Sequence, residues 1–356
     1  MEVTPLIDIE IISASNSKIN SVDFENLTFG NVFTDHMLIC DFKEGTWQKP
    51  FIQPYAPFTI DPSAKVFHYG QAIFEGMKAY KNAECEILVF RPHDNWARLN
   101  KSAVRMCMPE IPEDIFMEGL STLLKLDSAW IPAKPGCSMY IRPFMFSTDE
   151  YVGVTPSKTY KFMIFNCPVG AYYSKPLRVK VETQYIRSAH GGVGFSKNAG
   201  NYALSLYPTQ LANNEGYDQI MWTDANEHKY IEEAGTANLI FRIGDSIITP
   251  HGDTILHGVT RRTIMELAEE WGYKAEQRKV SVQELIDGIK AGTVTEAFAA
   301  GTAATITHID RIGFEGQDYT LPPVEGREFS LKVLSYLNDL RYGKSEDTHG
   351  WNLIVK

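Results

Sequence analysis

Beyond Arg178 the chain is divided into short apolar runs broken by turns and single helices, and this pattern restricts its fold more than any other feature. Residues 178–185, 218–222, 238–243 and 246–249 read as strands, the last two joined by the turn Ile243-Gly244-Asp245. Residues 259–271 predict a helix with Ile264, Leu267, Ala268 and Trp271 on one face. Ser281-Val282-Gln283-Glu284 reads as a capping box for a second helix ending near Gly292. A strand over 293–300 runs into Gly301-Thr302-Ala303-Ala304, and an amphipathic helix over 329–340 closes the chain. Short strands broken by single helices predict a β-barrel-like domain with helices around it.

The first half is built differently. Residues 1–30 are polar and weakly periodic, as in an arm. Residues 31–42 alternate as a strand, a loop with Pro50, Pro54, Pro57 and Pro62 follows, and 72–80 fits a strand or a short helix. Residues 87–90 form a short buried strand, and Asp94 reads as the N-cap of a helix carrying Trp96, Leu99, Ala103 and Met106. Another helix is expected near 115–126, and strands over 138–146 and 160–167. Proline, glycine and lysine break the pattern over 168–178. The expected fold class is α+β: a small α/β domain over 1–170, an interdomain linker over 171–178, and a larger domain over 179–356.

Charge and cysteine usage narrow the function. Lys and Arg number 34 against 44 Asp and Glu, a formal net charge of −10. Without basic clusters such a chain is a poor partner for nucleic acid or an anionic membrane, and local geometry must hold any phosphate it binds. The five cysteines are odd in number, widely spaced and free of a C-x-x-C motif. That argues against a disulfide framework and a thiolate zinc site, and for a reducing compartment. The histidines do not fall at zinc-ligand spacings, so no metal is expected. The acidic N-terminus has no signal-peptide core, and no stretch is long and apolar enough to span a bilayer. A cytoplasmic protein is expected.

Four stretches could carry chemistry. Residues 191–202 (GGVGFSKNAGNY) are dense in glycine, which lets a backbone approach something else closely, and Lys197 sits among them. Taken alone, such a lysine is most often solvent-exposed. The stretch is neither a dinucleotide fingerprint nor a Walker loop. His257-Gly258-Val259-Thr260-Arg261 opens a helix whose first N–H groups would suit a phosphate, or would simply begin an ordinary helix. Gly301-Thr302-Ala303 offers N–H groups and a hydroxyl, or a plain turn. Glu232-Glu233, followed by Ala234-Gly235-Thr236-Ala237-Asn238, is a solvated pair or places a carboxylate against a ligand cation.

Together these four stretches resemble the cofactor site of branched-chain amino-acid aminotransferases, pyridoxal-phosphate enzymes of fold type IV. Residues 29–37 (FGNVFTDHM), 68–80 (HYGQAIFEGMKAY) and Tyr140-Ile141-Arg142-Pro143 resemble the same family's small domain, in the same order. The resemblance implies that Lys197 bonds covalently to the aldehyde of pyridoxal 5'-phosphate and then carries the substrate's Cα proton. It implies that Glu233 faces the pyridine nitrogen and Tyr202 the phenolic oxygen. Arg98, the N–H groups of Val259 and Thr260, and Thr302 would hold the phosphate. Phe29, Tyr69, Phe74, Tyr140, Val154 and Tyr172 would wall the substrate pocket. Arg142, together with Tyr69, would meet a γ-carboxylate, and Thr236 with the N–H of Ala303 an α-carboxylate. Tyr140 and Arg142 lie two apart on a strand and so share a face, which supports a joint role. The implied reaction exchanges the amino group between leucine, isoleucine or valine and 2-oxoglutarate, giving the branched 2-oxo acid and glutamate, in a homodimer. The alternatives are another fold-type-IV enzyme, such as a D-amino-acid or amine transaminase, and a catalytically dead binding relative.

Overall fold

A computed structural model of the chain describes residues 7–170, 175–303 and 305–355. Two compact units are present: Met1–Tyr172 with Lys197–Ala199 and Asp339–Lys356, and Tyr173–Ser196 with Gly200–Asn338. Among the described residues, no helix is long and apolar enough to cross a membrane.

The first unit is a sheet with helices packed on one face. Its strands run in the order Glu10–Ile11, Phe51–Pro54, His36–Lys43, Tyr160–Val169, Ser138–Ser147, Met77–Lys81, Ile87–Phe90 and Asn352–Val355. The central pair is in unbroken antiparallel register from Ser138↔Val169 to Ser147↔Tyr160. The helices Pro92–Arg105 and Glu113–Leu126 bury Leu99, Ala103, Phe116 and Leu120 against Leu38, Ile141, Phe162 and Ile164. The second helix opens with Glu113 and Asp114 and ends on Lys125, matching its dipole. Gly119 lets it lie close, because a Cβ there would fall 2.5 Å from Leu38 Cδ2.

Several expectations change at this level. Residues 72–80 form two short strands, Ala72–Phe74 and Met77–Lys81, both on Ser138–Ser147. The N-terminal arm is docked: Glu10–Ile11 adds in parallel to Phe51–Pro54, and Asp35 accepts hydrogen bonds from the Ser17 hydroxyl and the Lys18 N–H. Asp94 is not the N-cap. Arg91 holds that position with φ of 48°, Pro92 follows, and Asp94 lies in the first turn, where it pairs with Arg91. Proline is suited to this start because its missing N–H is not needed there. The last residues belong to the first unit, since Asn352–Val355 pairs with Ile87–Phe90. Of the expected linker, 171–174 lie outside the described residues, and Leu177 and Arg178 already belong to the strand Leu177–Val181.

The second unit contains a closed barrel. The strands Asn238–Ile243, Val294–Gly301, Thr305–Phe314, Leu177–Val181, Gln219–Thr223 and Tyr230–Ala234 pair in succession, and Glu233↔Asn238 closes the ring. Leu177–Val181 is parallel to both neighbours, and the other pairs are antiparallel. Val179, Met221, Ile231, Leu239, Phe241, Ala297 and Ile309 form its core. The helix Val259–Glu270 turns Ile264, Leu267 and Ala268 inward, as its spacing predicts. Ser281 caps the helix Val282–Lys290 by accepting from the Glu284 N–H at 3.0 Å. The other half of the capping box is not made, because the Glu284 carboxylate accepts from Arg278 at 2.7 and 3.1 Å.

Candidate active site

In the first unit, the backbone around Lys197 is held as an addition to the sheet edge. The Phe74 N–H donates to the Lys197 carbonyl at 3.0 Å, and the Ala199 N–H donates to the Ala72 carbonyl at 3.0 Å. The Lys197 N–H donates to Ser102 Oγ at 2.9 Å. Ile73 and Asn198 complete the bridge, so residues 197–199 behave as a short extra strand. The lysine Nζ lies 4.5 Å from the centre of the Phe74 ring. A cation over an aromatic face is attracted to the ring quadrupole, which gives this side chain a preferred resting place.

The residue after Phe74 is fully buried. Glu75 accepts two hydrogen bonds from Arg98, Nε at 2.7 Å and Nη2 at 2.8 Å, and one from Asn95 Nδ2 at 2.8 Å. Burial works to raise its proton affinity. The Arg98 guanidinium, the charge of Lys197 and the Asn95 bond outweigh burial and hold the carboxyl below its usual range. Arg98 is itself 9% exposed, so its position is fixed by an acid for which the sequence alone gave no role.

The wall residues divide into two groups. Phe29 meets Tyr140 edge-on with ring centres 4.8 Å apart, and Arg142 Nη2 donates to the Tyr140 hydroxyl at 2.8 Å. The Arg142 guanidinium also lies 4.7 Å from the centre of the Phe74 ring. Its Nε is buried with no hydrogen-bond partner among the described residues. Such a group awaits an acceptor, because burial without one is costly. Gly76 makes room for this arrangement, since a Cβ there would fall 2.4 Å from the Tyr140 hydroxyl. Phe29, Phe74, Tyr140 and Arg142 therefore form one cluster. Tyr69 and Val154 stand apart from it, exposed at 41% and 84%. Tyr172 lies outside the described residues.

In the second unit, Glu233 is 6% exposed and held on both oxygens. Oε1 lies 3.0 Å from Arg187 Nε, and Oε2 accepts from Asn238 Nδ2 at 3.0 Å and the Leu256 N–H at 2.9 Å. Arg187 also donates to the carbonyls of Gly194 and Thr254. The helix Val259–Glu270 starts directly beside this group: a Cβ at Gly258 would fall 2.0 Å from Asn238 Oδ1. Its first turn has no side-chain cap, and Val259 and Thr260 are buried. The next turn lies close by, with Gly301 positioned so that a Cβ would be 3.3 Å from Ala237 Cβ and 3.6 Å from the Thr236 carbonyl. Thr302 and Ala303 are half-buried, Thr236 is exposed, and Tyr202 is half-buried in the short helix Gly200–Ala203.

Glu75, Asn95, Arg187, Asn238 and Thr254 are the functional candidates that reading the sequence did not find. Glu75 lies inside the Phe-Glu-Gly stretch that carries the resemblance, and Asn238 ends the Glu-Ala-Gly-Thr-Ala-Asn stretch. Nothing local marks Arg187 or Thr254, which meet Glu232 and Glu233 only through folding.

One unit holds a clamped lysine, and the other, a closed barrel, holds a buried carboxylate next to an uncapped helix. Residues 72–312 match the family model for amino-transferase class IV. The chain is 42% identical over 339 residues to branched-chain-amino-acid transaminase 1 of Bacillus subtilis (strain 168), covering 94% of this chain and 95% of that protein. It is 40% identical over 349 residues to branched-chain-amino-acid aminotransferase 2 of the same organism, covering 97% and 96%. The crystal structure of the Escherichia coli branched-chain aminotransferase superposes with a TM-score of 0.71 at 25% identity, over 90% of this chain and 99% of that one. The chain belongs to the branched-chain aminotransferases of class IV.

Proposed function

We propose that this chain moves the amino group reversibly between L-leucine, L-isoleucine or L-valine and 2-oxoglutarate, using pyridoxal 5'-phosphate, as a cytoplasmic homodimer. The observation that carries the substrate reading is the Tyr140–Arg142 pair set among the rings of Phe29 and Phe74. Apolar walls suit a branched chain, and the guanidinium with the tyrosine hydroxyl suits the γ-carboxylate of the other substrate. Polar groups confined to one edge let one pocket serve both.

The donor set fits the cofactor. Glu233, kept as a fixed carboxylate by Arg187, Asn238 and the Leu256 N–H, would hold a proton on the ring nitrogen. The uncapped helix start at Val259 and Thr260, with Thr302, would take the phosphate, and Arg98, oriented by Glu75, would add charge. Tyr202 would donate to the phenolic oxygen. When bound, pyridoxal phosphate supplies the electron sink for the carbanion left at the substrate Cα. Lys197 would hold the cofactor through its aldehyde, and its amine would take and return the substrate's Cα proton. Thr236 and the Ala303 N–H would orient the α-carboxylate.

Support for a homodimer comes from an apolar groove of about 320 Å³ in the first unit, lined by Met37, Tyr55, Phe58, Phe144, Met163 and Phe165. Light scattering at twice the chain mass would agree with it. The cytoplasm is the compartment in which the five free cysteines would stay reduced.

An amino-donor assay with 2-oxoglutarate tests the reading: turnover of L-leucine, L-isoleucine and L-valine supports it, and turnover of D-alanine but not L-leucine overturns it. Arg142→Met separates the two substrates. Loss of a charge-assisted bond of about 2 kcal/mol should raise the KM for 2-oxoglutarate roughly 30-fold. The KM for leucine should change far less, and equal changes in both would show that Arg142 does not read the carboxylate.

A further inference from the structure

Glu232 precedes Glu233 on the strand Tyr230–Ala234 and has its own set of partners. It is 6% exposed. Its Oε1 accepts from the Thr254 hydroxyl at 2.5 Å, and its Oε2 is buried with no hydrogen-bond partner among the described residues. The Thr254 carbonyl accepts from Arg187 Nη2 at 2.5 Å, and Arg187 Nε lies 3.0 Å from Glu233 Oε1. The buried Arg187 guanidinium therefore bears on both buried carboxyl groups, Glu233 directly and Glu232 through Thr254. Among the described residues, the charged groups that act most on Glu232 are Arg187, Glu233 and Asp224. Glu233 is the neighbouring buried acid, and two like charges side by side in a water-poor site repel each other, so ionising both is costly. A proton on Glu232 removes that repulsion.

We propose that Glu232 is a positioning residue that sets how the charge of Arg187 is divided between Glu232 and Glu233. Protonated, it leaves the guanidinium to Glu233. Ionised, it draws on the same guanidinium, and Glu233 then presents a fuller negative charge to the cation it faces. The proposal rests on the reading of Glu233 as the carboxylate that holds the ring-nitrogen proton. Burial pushes the Glu232 carboxyl up to about 7, against the Thr254 bond and the Arg187 charge, so the change falls near neutral pH.

The test follows the Arg187 Nε–H resonance of the holoenzyme by NMR, with infrared difference spectra against Glu232→Gln to observe the protonated acid. In the wild type the resonance should shift with a midpoint near pH 7, together with loss of the acid's carbonyl band. In Glu232→Gln, which cannot ionise, this transition should vanish, as should any matching step in the pH profile of kcat. A wild type without the transition, or a variant that keeps it, overturns the proposal. Thr254→Val, nearly isosteric, is the second variant: losing the hydroxyl that favours the anion should move the midpoint upward, and an unmoved midpoint also overturns the proposal.

Stability gives an independent readout. A carboxyl raised from 4.5 to about 7 on folding stabilises the fold fully below the lower value and loses that contribution as pH rises through the upper one. Glu232→Gln should therefore unfold at a higher temperature than the wild type above neutral pH, and the gap should narrow in acid. No gap above neutral pH would count against a buried titrating acid. A wild type that fails to transaminate would sink the functional reading and leave this transition standing. A missing transition in an active enzyme would sink this proposal alone.

Discussion

Lys197→Ala should lower kcat for leucine–2-oxoglutarate transamination by roughly 10⁴-fold, the upper range for removing a positioned acid–base group. The expectation comes from how the residue is held. Its N–H donates to Ser102 Oγ, and its carbonyl accepts from the Phe74 N–H. Both bonds are made by the main chain, so alanine keeps them. What is lost is the amine that rests over Phe74. The variant should fold, with a melting temperature close to the wild type, while losing the visible absorption of the covalently bound cofactor. An added small primary amine should restore part of the rate, since it can move the same proton without the tether. Turnover of leucine within about tenfold of the wild type would remove Lys197 from the chemistry.

Glu75→Ala should be the most destabilising single change among the candidate site residues of the first unit. It strips a buried guanidinium of its counter-charge, a loss on the order of 3–5 kcal/mol. For a chain of this size the melting temperature should fall by about 5 °C. Glu75→Gln, which keeps one acceptor, should fall less. The pH dependence has a definite sign. The carboxyl is held below its usual range in the folded protein, so its contribution is complete above the carboxylate range and disappears as the pH falls through the folded-state value. The wild type and Glu75→Ala should therefore converge in acid. Pyridoxal phosphate should bind more weakly to the variant, since Arg98 loses the acid that orients it. A variant as stable as the wild type would show that Arg98 does not depend on Glu75 for its counter-charge.

The parts of the fold legible in the sequence are those set by neighbours a few residues apart. The hairpin at Ile243-Gly244-Asp245 and the Ser281 cap follow from local turn and cap chemistry. The helix Val259–Glu270 follows from spacing alone. Asp94 misled because a good capping residue stood where Arg91 and Pro92 had already started the helix. The arm misled because a two-residue strand carries no periodic signal, yet the edge of Phe51–Pro54 was open to receive it.

For the site, the residue types and their motif positions could be read directly: Lys197 in its glycine-rich run, Glu233 before its glycine, Tyr140 and Arg142 on one strand face. Their electrostatic state could not. Glu75 and Arg98 are 23 positions apart and meet only because a helix packs over a strand end. Arg187 reaches Glu233 across the barrel unit in the same way. Periodicity and turn chemistry act over a handful of residues, and so the chain order already contains its strands, helices and reactive side chains. Burial and charge pairing depend on what arrives from elsewhere in the chain. It took folding to make Glu75 an anion in the dry interior, and to place two acids around one arginine.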